Sequence, residues 1–177
     1  MRNSFSLFLF LLSGIVMSQT TPAPKLNFPS VDGDVFEAKS KLKHVTIKVY
    51  NNAKLISTKT TDSVGHYSLT FNLDSVYVVE LSKDSFITKK YEVCTKELTK
   101  ERIKDPINKI IAETEMHKMI DGVDYTHYKK PMVKFFYNKK TDKFEYDTKH
   151  FAKAYETQKG ITEKEKKAIY KAKLKKK

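Results

Sequence analysis

The sequence predicts a mainly β protein: a small β-sandwich followed by a lysine-rich C-terminal segment. Three observations carry the prediction. Short segments alternate apolar and polar residues, turn-forming residues separate them, and positive charge collects at the C-terminal end. Alternation with a period of two gives each strand one face for a core and one for solvent. A chain of 177 residues with 40% hydrophobic content can bury one modest core and carry an appendage, but not two full domains.

Residues 1–18, MRNSFSLFLFLLSGIVMS, open with Arg2, continue with an uncharged apolar run and end on small residues. The run is shorter than the roughly 20 residues a spanning helix needs. Its layout is that of a secretory signal peptide cleaved after Ser18, with a helical anchor that stays attached as the alternative; cleavage places the mature protein in the periplasm or cell envelope. Residues 19–29 carry Pro22 and Pro24 among Thr, Ala and Lys and read as a flexible leader.

The sandwich is assigned to residues 30–120. Residues 31–36 form the first strand. Val45, Ile47 and Val49 alternate with Thr46, Lys48 and Tyr50, and a turn at Asn51-Asn52 leads into residues 54–60, giving a hairpin. The stretch TDSVGHYSLTF, residues 61–71, then closes a loop and starts a strand. Asp62 can accept hydrogen bonds from backbone groups two residues on, and Gly65 can take positive φ without a Cβ clash. Tyr67, Leu69, Phe71 and Leu73 line one face of the next strand, and residues 76–82 and 86–93 supply two more. Residues 95–131 admit two readings. Asp105 and Pro106 look like a helix start, Ile107, Ile110 and Ile111 share a helical face, and Gly122 could end it. Ile111, Glu113 and Glu115 against Ala112, Thr114 and Met116 also alternate as a strand, though the period favours helix.

Residues 121–152 are predicted as a hairpin extension, KFFYN and KFEYD joined by KKTD. Phe135, Phe136, Tyr137, Phe144 and Tyr146 serve either as core filling or as Tyr and Phe faces for sugars. Residues 153–177 form the basic tail, helical or disordered, with Thr162 and Glu165 at capping-box spacing and a broken, solvated apolar stripe that suggests fraying. After residue 18 the chain has 33 Lys and Arg against 21 Asp and Glu, a net of +12, of which ten Lys and three Glu in the tail supply +7.

The motifs of catalysis are missing. Cys94 is the single cysteine, so it can form no internal disulfide, and no His or second Cys lies near it in sequence. His44, His66, His117, His127 and His150 are scattered without metal-ligand spacing, and there is no Gly-rich phosphate loop or nucleophile elbow. The sequence therefore predicts no catalytic residue, no cofactor and no metal.

Within residues 31–93, Gly33, the V-x-I-x-V of Val45 to Val49, Thr61-Asp62-x-x-Gly65-x-Tyr67 and the corner Ser82-Lys83-Asp84-Ser85-Phe86 resemble the carboxypeptidase regulatory-like domain, one of the transthyretin-like or prealbumin-like sandwiches. At the corner Ser85 stands where that family usually has glycine. The resemblance implies a seven-stranded prealbumin-like sandwich in which residues 107–119 give the closing strand. Lys130-Pro131-x-x-Lys134-x-x-Tyr137 with Lys143-Phe144-Glu145-Tyr146-Asp147 resembles exported envelope proteins of Bacteroidota that carry this sandwich after a signal peptide. A urate-pathway hydrolase of the same class ends Tyr-Arg-Gly-Ser, whereas this chain ends KAKLKKK, so the resemblance does not extend to that activity.

The expected function is that of a non-catalytic structural or interaction module of the cell envelope. Its binding residues would be Lys164, Lys166, Lys167, Lys171, Lys173, Lys175, Lys176 and Lys177, engaging an acidic envelope component or protein partner; Asp62 and Gly65 would be structural turn residues. A solubilising role for the tail explains the same composition. The alternative is a glycan-binding module. Nucleic acid is not expected of an exported chain, and nothing after the signal is apolar enough to span a membrane.

Overall fold

In the computed structural model, which describes residues 29–99 and 109–175, the alternating segments become strands at nearly the expected places. They are β1 (Ser30–Glu37), β2 (Ser40–Lys41), β3 (Thr46–Asn51), β4 (Lys54–Thr60), β5 (His66–Thr70), β6 (Val76–Ser82), β7 (Lys89–Cys94), β8 (Lys109–Glu115), β9 (Val133–Asn138) and β10 (Lys143–Tyr146). A short 3-10 helix, Thr126–Lys129, precedes β9, and a long helix, α1 (Thr148–Leu174), follows β10. The seven expected sandwich strands are β1 and β3 to β8, with β2 a two-residue addition. The proposed signal peptide and all of the leader except Pro29 lie outside the described residues.

One sheet pairs β1 antiparallel with β5 and β2 and parallel with β8. The other runs in the order β10-β9-β7-β6-β3-β4. Period-two burial fills the space between them: Val31, Val35, Val45, Ile47, Val79, Leu81, Val93 and Met116 have no exposed surface. Each such side chain contributes roughly 1.5–3 kcal/mol when fully buried.

Two contacts explain small or turn-forming residues. Asp62 Oδ1 accepts from the backbone N–H groups of Val64 at 2.9 Å and His66 at 2.8 Å, while Gly65 has φ +73°. A Cβ at Gly65 would stand 2.9 Å from Val35 O and 3.0 Å from Leu42 N. Gly33 lies directly under the Tyr67 ring, which a Cβ there would overlap. The ring thereby crosses β1 and places its hydroxyl 3.1 Å from that of Tyr91. Burial raises both phenols, Tyr67 to about 12. The two hydroxyls satisfy each other in the core.

Several expectations need correction. Where periodicity favoured a helix, residues 109–115 form a strand: Ser30↔Lys109 through Phe36↔Glu115 pair in parallel, and β8 buries Ile110 and Ala112 on alternate positions. Asp105, Pro106 and Ile107, which suggested a helix start, lie outside the described residues. Gly122, with φ +78°, sits in a turn rather than at a helix end. The β3–β4 turn is Asn52-Ala53, with φ 48° and 63°, one residue later than expected. The strand expected over residues 86–93 starts only at Lys89, because Phe86 bridges to Lys118 and Ile87 N donates to His117 O at 2.8 Å. Ser85 has φ 69°, so the corner keeps a left-handed backbone without the glycine that conformation favours.

The β9–β10 hairpin is no appendage. β9 pairs in parallel with β7 from Tyr91↔Val133 to Cys94↔Phe136 and so extends the second sheet. Phe135 packs edge-on against Tyr91 with centroids 5.9 Å apart, and Tyr137 packs against Phe144 at 5.8 Å. These hairpin aromatics pack against other rings of the same sheet.

Candidate functional site

The sequence from Asp147 onward is rich in Lys, Ala and Glu and contains no proline, a composition that favours helix. Asp147 caps it: its Oδ1 accepts from His150 N at 2.9 Å. The helix then continues unbroken to Leu174, so the tail is helical as far as that residue. The expected start at Thr162 is incorrect, because Thr162 lies mid-helix and its hydroxyl donates to Gln158 O at 3.2 Å. The true cap sits directly after the hairpin, fifteen residues earlier in the sequence.

Far from hanging free, α1 is docked through a narrow seam. His150, Ala154, Gln158, Ile161, Glu165 and Ala168 are its only buried or half-buried positions, spaced by three or four residues as one helical stripe requires. Ala154 and Ile161 pack with Ile87, Tyr128 and Met132 in a second small core. Polar contacts fix the rest: His150 Nε2 donates to Pro131 O at 2.8 Å, and Tyr125 OH donates to Glu165 Oε1 at 2.8 Å while accepting from Ile120 N at 2.9 Å. Beside this joint Lys89, only 7% exposed, holds its ammonium 4.0 Å above the Tyr128 ring. Burial pulls that amine down to about 8, against the opposing pull of Glu165 and Glu115.

Docking through one seam leaves most of the helix surface to solvent and sorts its lysines into two flanks. Lys149, Lys153, Lys164, Lys167, Lys171 and Lys175 follow one another at spacings of 4, 11, 3, 4 and 4 residues, all close to multiples of about 3.6. They therefore form a single stripe about 39 Å long at about 1.5 Å per residue. All six are exposed, and none makes an ion pair with a described residue. Lys164 acts on Asp124, and Lys167 on Glu163, only at longer range.

The other flank is different in kind. Lys159 pairs with Glu156 at 2.7 Å and Lys166 with Glu163 at 2.7 Å, while Tyr146, Phe151 and Tyr155 form a ladder with centroids 5.5 and 6.0 Å apart. Tyr155 is 46% exposed, yet Phe151 stacks on one side and Lys159 Nζ lies 4.8 Å over the ring from the following turn. A sugar stacking on Tyr155 would have to displace one of them.

Of the residues singled out in the sequence, Lys164, Lys167, Lys171 and Lys175 thus fall on the unpaired stripe, and Lys166 and Lys173 lie on the opposite flank. Lys176 and Lys177 lie outside the described residues. Lys149 and Lys153 belong to the stripe and were missed, because their membership depends on a helix that begins at Asp147.

A groove of about 890 Å³ opens between the β6–β7 corner and the 3-10 helix. Some of its charged groups are engaged within the protein: Lys90 pairs with Glu80 at 2.8 Å, and Asp124 accepts from both Thr126 N at 2.8 Å and Thr126 Oγ1 at 2.6 Å. Those Thr126 bonds hold the Asp124 carboxyl below its usual range. Among the described residues no three His, Cys, Asp or Glu side chains converge as a metal site.

Comparison with known proteins adds little to this geometry. No family model matches the chain, and no curated protein matches it. Among solved structures, the group B streptococcus pilus 2b backbone protein shares 10% identity over 51% of this chain and 41% of that chain, with a TM-score of 0.36. The Bacillus anthracis TIE protein shares 19% over 52% and 17%, at 0.36. Catechol 1,2-dioxygenase from Acinetobacter sp. ADP1 shares 14% over 58% and 56%, also at 0.36. The matches span less than two thirds of each of those chains, and scores this low carry no argument about activity. The two-sheet sandwich is read from strand pairing alone.

Proposed function

We propose that this protein is a non-catalytic interaction module of the cell envelope, in which a sandwich of the carboxypeptidase regulatory-like kind displays α1 as an adhesive rod for anionic surfaces. The observation that carries the reading is the stripe of six exposed lysines, none in an ion pair with a described residue. Lysines that merely solubilise a helix are as useful when paired or scattered. A one-sided row raises the local potential and selects partners that carry a matching row of negative charge. The helix C-terminus favours some of these lysines through its dipole, but that effect fades beyond the last turn and does not reach Lys149 or Lys153. Export, suggested by residues 1–18, would bring the stripe to envelope phosphates and carboxylates.

The test is capture from a cell-envelope preparation by immobilised full-length protein and by a Lys149/Lys153/Lys164/Lys167/Lys171/Lys175→Gln variant. Material held by the wild-type chain and released by about 0.5 M salt, where screening is nearly complete over a few ångströms, but not held by the variant, supports the reading. Equal capture by both proteins that survives high salt places the binding elsewhere.

A further inference from the structure

The distal part of α1 combines two features that a purely electrostatic rod does not need. Residues 166–175 carry five lysines and no acidic residue, and they expose Tyr170 at 64% and Leu174 at 56%. These two lie one turn apart on the same face. Tyr170 is nine residues from the buried Ile161, half a revolution at about 100° per residue, so the pair points away from the sandwich. Lys166, Lys167, Lys171 and Lys173 flank it at three or four residues. Elsewhere in α1 the large exposed aromatics Phe151 and Tyr155 pack against each other, whereas no ring contact engages Tyr170 among the described residues.

We propose that this distal face lies on an anionic lipid membrane, with Tyr170 and Leu174 inserted at the headgroup boundary and the surrounding lysines on lipid phosphates. The inference rests on the anionic-surface reading above and names its partner. Tyrosine suits that boundary because its ring is apolar and its hydroxyl is not. Lysine stems can lie along acyl chains while their ammonium groups reach the phosphates. A soluble polyanion would satisfy the lysines but offer nothing to Leu174. No helix among the described residues is long and apolar enough to cross a membrane, and this arrangement requires the helix to lie on the surface rather than to span.

The chain contains no tryptophan, so Tyr170→Trp in the full-length protein is a unique fluorescent reporter. It is titrated with vesicles of phosphatidylcholine alone, with vesicles containing roughly one-third phosphatidylglycerol, and with soluble polyphosphate. The expected result is a blue shift with the anionic vesicles only, and at least tenfold weaker vesicle partitioning of a Tyr170→Ser/Leu174→Ser variant whose polyphosphate binding is unchanged. Sedimentation with anionic vesicles without a blue shift, and equally by the Ser variant, overturns insertion and leaves the lysine stripe as the binding element. Polyphosphate binding without vesicle binding likewise overturns the membrane proposal alone. Failure to bind either probe overturns both readings.

Discussion

Asp62 and Gly65 divide the work of one turn, since the carboxylate holds two backbone N–H groups and the glycine supplies a conformation that the neighbouring Val35 and Leu42 backbone leaves no room to side-chain. Gly65→Ala should therefore cost more than about 1 kcal/mol, from positive φ and the close approach together, and an unchanged denaturation midpoint would contradict it. Lys89 makes a different prediction. Its amine titrates near 8 in the fold against about 10.4 in an unfolded chain. Below about 8 it is charged in both states and burying that charge costs stability; the cost fades as pH rises from about 8 towards 10.4, because the unfolded state then binds more protons. Lys89→Met should be more stable than wild type at pH 7 by on the order of 1–3 kcal/mol, and the gap should close by about pH 10. A gap that stays constant from pH 7 to 10 would show that Lys89 is not buried as a charge.

At the scale of elements, what the sequence reveals depends on how locally each element is decided. β1, β3 and β6 are legible because their own alternation matches their burial, with Val31 and Val35, Ile47 and Val49, and Tyr77, Val79 and Leu81 all inward. β8 is ambiguous because Ile110 and Ile111 are adjacent and fit either period; pairing with β1, far away in sequence, decides it. For α1 the composition is visible but the start is not, since Asp147 reads equally as the end of the hairpin strand. The same gap hides two of the six stripe lysines: those after Thr162 stand out by number, but Lys149 and Lys153 join them only once the helical register runs back to Asp147. That register also locates Gly160 on the exposed surface, where an added Cβ meets nothing within 4 Å. Gly160→Ala should stabilise the protein by about 0.5–1 kcal/mol through helix propensity, and a lowered melting temperature would mean that α1 is bent or broken there.

The whole molecule has two cores with separate tasks. The larger one holds the sheets together, and the smaller one, around Ile87, Tyr128, Met132, Ala154 and Ile161, clamps α1 by a seam one residue wide. The narrow seam exposes the lysine stripe, and the polar bonds of His150 and Tyr125 add specificity to an attachment with little apolar area. Cutting the chain after Tyr155 would remove Ile161 and Glu165 and so disturb the joint as well as the charge, which makes substitution the cleaner test. Under the proposed function, arrangement rather than net charge makes the binding surface. The most direct measurement compares affinity for polyphosphate, across a salt series, between Lys153/Lys164/Lys167/Lys171→Gln on the stripe and Lys43/Lys54/Lys96/Lys140→Gln on the sandwich. Both variants lose the same charge. The stripe variant should lose at least tenfold in affinity, with a shallower salt dependence, while the sandwich variant stays within about twofold of wild type; equal losses in the two would contradict a binding role for the stripe.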